Sequence, residues 1–202
     1  MLINGSRRRF ATFAIAVLAL TACSKKESSS TDTTAASSTV SADTSAMSAA
    51  PTAGTWTDAN ILALLDEVNA ADSAAGAVAA TKGTAAAVRD FGKRMMRDHH
   101  QLRAQGEALA KKLKVTPAAP SDDPVTPAAQ KEMDTLNSTA KGKDFDRAYI
   151  DAEVDMHKSV LDLATKGAAQ TQTAELKNLI QKAAPVIQGH LDKAEAIQKT
   201  LK

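Results

Sequence analysis

Val88-Arg89-Asp90-Phe91-Gly92-Lys93-Arg94-Met95-Met96-Arg97-Asp98-His99-His100-Gln101-Leu102 is the stretch whose periodicity decides the fold. Val88, Phe91, Met95, His99 and Leu102 recur at helical spacing, and Leu109 and Leu113 continue the stripe. The intervening positions are charged, which is the pattern of a helix with one face turned to a core. Upstream, Gly83 breaks the chain and Thr84 offers a cap for this helix. Before the break, Thr57 can cap an earlier helix whose inward stripe reads Ile61, Leu65, Val68, Asp72, Ala75 and Ala79.

Downstream, Val115 to Pro127 contains four prolines, so the long helix must stop there. Thr126 and Pro127 read as the cap and first turn of a short connector helix carrying Met133 and Leu136, ended by Gly142. A third long helix runs from about Asp144 to Lys166, with Phe145, Tyr149, Ala152, Met156, Val160 and Leu163 along one side and Gly167 at its end. A fourth runs from about Thr171 to Leu201, with Leu176, Ile180, Ala183, Ile187, His190, Ala194 and Ile197 in register and Pro185 inside it. No strand pattern is present. The expectation is an all-α four-helix bundle with a Pro-rich crossover that carries a short connector helix.

The N-terminal third reads differently. Arg7, Arg8 and Arg9 precede an uncharged apolar run from Phe10 to Leu20, the layout of a secretory signal. Leu20-Thr21-Ala22-Cys23 resembles the bacterial lipobox, and that resemblance implies cleavage before Cys23 and lipidation of its thiol. Ser24 in the next position implies passage to the outer membrane. Ser6-Arg7-Arg8-Arg9-Phe10 also looks like a twin-arginine export signal, although a plain basic n-region is the simpler reading. Cys23 is the single cysteine, so no intramolecular disulfide is available. The expected organisation is a signal peptide over 1–22, a lipidated Cys and Ser/Thr/Ala tether over 23–55, and a folded domain over 56–202. The tether has too little apolar surface to order itself. It would hold the domain roughly 30 Å from its anchor.

Cleavage changes the charge balance. Loss of the three signal arginines leaves 22 Lys plus Arg against 23 Asp plus Glu, so the net charge moves from +2 to −1. With interspersed charges and 3% aromatics, the chain has neither the basic patch nor the stacking residues of a nucleic-acid binder. G-x-S-x-G, S-x-x-K, phosphate-loop and Cys/His zinc spacings are absent, and with them support for a serine hydrolase or a nucleotide enzyme.

Four polar residues interrupt otherwise apolar stripes: Asp72, His99, His157 and His190, one on each long helix. Three readings are open. Buried histidines usually belong to hydrogen-bonded structural networks, and that reading ranks first. Inward N and O groups on facing helices are also how bundles build metal sites, and a proton-transfer role is the third reading. Met95, one turn before His99, would add a thioether that suits copper, although core filler is the commoner use of Met. A ferritin-type ferroxidase centre is rejected, since Glu-x-x-His is missing: Met96, Val154 and Ile187 stand three before the histidines. Measured from the two interhelix turns at about 1.5 Å per residue, Asp72 and His157 lie roughly 15 Å away and His99 and His190 roughly 24–28 Å. If both turns lie at one end, the four residues form two tiers about 10 Å apart, which strains a single site. Asp98 and His100 are expected at the surface, and Asp144 and Asp146 as first-turn acids of their own helix.

The run Phe91-Gly92-Lys93-Arg94-Met95-Met96-Arg97-Asp98-His99 resembles the F-x-x-x-M-x-x-D-H signature of a bacterial ferritin-like family, domain of unknown function 4142. Phe145-Asp146-Arg147-Ala148-Tyr149 followed by His157, and Pro185 through His190-Leu191, resemble its later segments. The resemblance covers about Thr57 to Ala196 and implies a ferritin-like bundle in a secreted or envelope protein, with no established reaction. Asp72 departs from the pattern, in which the first helix usually carries Glu.

The expected function is therefore a non-enzymatic binding or stress-protective module, anchored in the envelope through Cys23 and facing the periplasm. A homo-oligomer or an envelope protein is the partner expected for it. The alternative is a copper- or iron-binding bundle using His99, His157 and His190, with Asp72 and Met95.

Overall fold

A computed structural model describes residues 54–201; the expected signal segment, Cys23 and nearly all of the tether lie outside the described residues. The described chain is all-helical, with five helices and no strand: α1 (Asp58–Lys82), α2 (Ala86–Leu113), α3 (Val125–Ser138), α4 (Lys143–Gln170) and α5 (Ala174–Gln198). None of them is long and apolar enough to cross a membrane.

The caps show where local sequence decided the boundaries. Thr57 caps α1 as expected, in a capping box with Asn60. Thr84 does not cap α2. Its backbone N–H, its hydroxyl and the Ala85 N–H all donate to the carboxylate of Asp146, on α4. Asp146 lies in the first turn of α4, as expected, and in addition caps the start of α2 across the bundle. The start of α3 is held by Asp123, which accepts from the Val125 and Thr126 N–H groups, so Thr126 lies inside the helix and is not its cap. α4 runs past Gly167 to Gln170, because Gly167 serves close packing: a Cβ there would meet Ile61 Cγ2 at 3.3 Å. Pro185 sits within α5 on its exposed side.

α1 packs along α2, and α4 along α5, as two hairpins that meet through α2 against α5 and α1 against α4. The closest approach is between α1 and α2, where Gly76 and Gly92 face each other. A Cβ on either glycine would stand 2.6–2.7 Å from the other's carbonyl oxygen. The connector helix α3 covers α1 and α4. The Pro-rich crossover lies on the start of α1, where the Ala118 N–H donates to the Ala59 carbonyl; Ile61, Leu62, Ala63 and Leu64 are all buried, and α1 lacks the one-sided stripe that α2 shows.

The two hairpins run in opposite senses. The α1–α2 turn meets the beginning of α4 through Asp146, whereas the α4–α5 turn meets the beginning of α1, where Thr171 and Thr173 hydroxyls donate to Asp58. The turns therefore lie at opposite ends of the bundle. Two apolar clusters follow. One holds Ile61, Val68, Val160, Leu163, Ile180 and Ile187. The other holds Ala79, Phe91, Met95, Phe145, Tyr149 and Ala194. On every long helix the switch from one cluster to the other falls at a polar residue.

Candidate metal centre

Asn69, Asp72, His99, Glu153, His157 and His190 form that polar layer, each buried, with the three histidines and Glu153 at 0% exposure. The two-tier arrangement expected from helix heights is corrected here. With the turns at opposite ends, a residue far from one turn is level with a residue near the other. The ring centroids lie 5.7 Å apart for His99–His157, 5.1 Å for His99–His190 and 5.4 Å for His157–His190. One donor nitrogen from each ring lies within 4.8 Å of the other two.

Each imidazole is held from outside by one nitrogen. His99 Nδ1 lies 2.9 Å from Asn69 Oδ1, and the Asn69 amide in turn donates to the Leu65 carbonyl at 2.6 Å, which leaves Oδ1 as an acceptor for the ring N–H. His157 Nδ1 donates to the Glu153 carbonyl at 2.8 Å. His190 Nε2 donates to Asp98 Oδ2 at 2.9 Å. The opposite nitrogens, His99 Nε2, His157 Nε2 and His190 Nδ1, are buried without a hydrogen-bond partner. An outer hydrogen bond that fixes the tautomer and an inner lone pair left free are the arrangement of a metal-ligating histidine.

The electrostatics agree with that chemistry. Burial, reinforced by His157 and His190, lowers the His99 imidazole to about 3. Burial also lowers His157 to about 4, against the opposing bond to Glu153. His190 is lowered by burial too, with Asp98 working in the other direction. All three rings are neutral at physiological pH, the form that ligates a metal. Burial raises the Asp98 carboxyl, but hydrogen bonds from His190 and Arg94 outweigh it and leave the group below the usual range.

Asp72 Oδ2 lies 3.5 Å from His99 Nε2 and Glu153 Oε2 lies 3.3 Å from His157 Nδ1. Asp72, Glu153 and His157 thus form a second close group, with one donor atom each within 4.8 Å. Burial pushes Asp72 and Glu153 well above the ordinary carboxyl range, with the charge of Glu132 adding to both. Met95 is fully buried one turn before His99, but its Cβ abuts Gly76 and it packs in the apolar cluster with Phe91 and Tyr149. His100 is exposed, as expected. Asp98 is not simply solvent-facing: it is half-buried and spans to α5.

Sequence reading missed Asn69, Glu132 and Glu153. Glu153 had a usable signal, because Tyr149, Glu153 and His157 follow one another at steps of four on α4. Asn69 and Glu132 had none, since each is buried by a neighbouring helix rather than by its own periodicity.

An all-α bundle with a buried polar layer of three neutral imidazoles and unpaired carboxyls is the class these observations define. The family model "Domain of unknown function (DUF4142)" matches residues 41–197, and the chain belongs to that family. No curated protein matches it. Among solved structures, CopM in the Cu(II)-bound form is similar in fold, with a TM-score of 0.60 at 13% identity, over 73% of this chain and 99% of that one.

Proposed function

We propose that this chain is an envelope metal-binding protein, a ferritin-like four-helix bundle that takes a copper ion on His99, His157 and His190. The observation that carries the reading is the set of free, inward imidazole nitrogens on three rings whose other nitrogens are already engaged. A purely structural network would leave three buried nitrogens unsatisfied, each at about 1–3 kcal/mol. A bound ion satisfies all three at once. Imidazole suits copper, zinc, nickel and iron, and among divalent ions copper binds such a donor set most tightly. The likeness in fold to a Cu(II)-bound protein supports the same choice. Binding and buffering require no open coordination position, so the role proposed is non-enzymatic.

The lipobox-like Leu20-Thr21-Ala22-Cys23 supports a tether through acylated Cys23, and Ser24 after it supports an outer-membrane position for the proposed module. Elemental analysis of the full chain purified from its native envelope, beside a His99→Gln, His190→Gln variant, tests the copper site. Near-stoichiometric copper that disappears in the variant supports it. Metal-free protein that also refuses added Cu(I) and Cu(II) overturns it.

A further inference from the structure

The copper reading leaves a neighbouring set of donors unused. Asp72 on α1, Glu153 on α4 and Glu132 on α3 are buried at 1%, 0% and 8% exposure. Among the described residues no lysine or arginine pairs with any of them. Both oxygens of Asp72, both of Glu153 and Oε1 of Glu132 lack a hydrogen-bond partner. So does the hydroxyl of Tyr149, fully buried one helical turn before Glu153. Three helices thus bring carboxyls into an interior without a lysine or arginine counter-charge. The donor beside them is the Tyr149 hydroxyl, close enough to Glu153 to raise the phenol and, against the larger effect of burial, to lower the carboxyl.

Apolar side chains of similar size would fill this space without that penalty. A divalent cation would satisfy the orphaned oxygens together and supply the missing charge. Carboxylate and phenolic oxygens favour a hard ion over Cu(I), and the single adjacent imidazole, His157, favours a transition ion over calcium. We propose that Asp72 and Glu153, with His157 at the edge and with Glu132 and the Tyr149 hydroxyl close by, form a second cation site for manganese(II) or iron(II). Glu132 carries this site to the wall of a cavity of about 590 Å³, lined also by Val68, Asp155 and Met156, which gives an ion a route inward. The site shares His157 with the proposed copper set but uses neither His99 nor His190, so its carboxylates are what the two sets of variants separate.

The test is a manganese(II) titration of the metal-free full chain, with and without one equivalent of Cu(I), followed by the EPR signal of free manganese. Wild type is expected to take up one equivalent of manganese in both conditions. Asp72→Asn with Glu153→Gln should bind manganese at least about tenfold more weakly while still binding copper. His99→Gln with His190→Gln should do the reverse. Should the acid-site pair fail to fold, Glu153→Gln alone carries the same expectation. No bound equivalent in wild type overturns the second site, as does undiminished manganese binding in the folded acid-site variant. Wild type that takes up manganese but no copper overturns the copper site alone.

Discussion

Asp98 and His190 lie on different helices, yet Asp98 Oδ2 stands 2.9 Å from His190 Nε2, so the acid next to His99 in sequence orients a different histidine. Arg94 holds the same carboxylate oxygen from one turn earlier, at 3.1 Å. The half-buried Asp98 therefore links the surface of α2 to the polar layer.

Asp98→Ala removes the partner that commits His190 Nε2 to donating. The ring then loses both its tautomer and its orientation. Copper affinity should fall by about 10–100-fold while the helical signal is retained, as measured by competition with a copper chelator of known affinity. Unchanged affinity would mean that His190 is no ligand.

The histidines set an acid limb to the stability of the metal-free protein. His99 and His157 are lowered to about 3 and about 4 in the fold, against 6.5 for the ordinary imidazole. As pH falls below 6.5 the unfolded chain takes up protons before the folded one does, so their stabilising contribution is present above 6.5 and lost toward pH 4. Between pH 7 and 4.5, His99→Gln should lose about 2 kcal/mol less than wild type in urea unfolding.

Glu132 acts in the opposite sense. Burial pushes its carboxyl up to about 7 from 4.5, so the folded state holds its proton where the unfolded state has released it. Its contribution is present below pH 4.5 and is lost as pH rises through 7. Glu132→Gln should therefore gain on wild type by roughly 2–3 kcal/mol between pH 4.5 and 8, read from urea midpoints of metal-free protein. A gain that does not vary with pH would contradict the shift.

The α1–α2 contact makes a sharper structural prediction. A Cβ at Gly92 would lie 2.6 Å from the Gly76 carbonyl oxygen and 2.9 Å from the Ala80 nitrogen, both backbone atoms that cannot step aside. Gly92→Ala should cost about 1–3 kcal/mol or more. Gly106→Ala, in the same helix with open space around it, should stabilise by roughly 0.5–1 kcal/mol. Thermal unfolding of the two variants checks both signs.

Much of the fold was legible because helical period and breakers are local properties. Val88, Phe91, Met95 and His99 place one face of α2 in the core, and the prolines between Val115 and Pro127 end the helix, whatever surrounds them. Local signals failed where a partner across the bundle took over. Thr84 has the chemistry of a cap but binds Asp146, and Gly167 has the look of a stop but makes room for Ile61.

The sequence by itself determined the helices, their inward faces and the three histidines that interrupt those faces, because side-chain direction along a helix follows from spacing alone. Only the tertiary structure decided that the histidines meet. Their height is set by which end of the bundle each turn occupies, a relation between segments far apart in the chain. Hairpins of opposite sense bring the rings level, with centroids 5.1–5.7 Å apart. The same long-range packing selected Asn69, Glu132 and Asp98 as partners, because which groups come into hydrogen-bond or charge contact across a bundle is fixed by helix register and not by spacing.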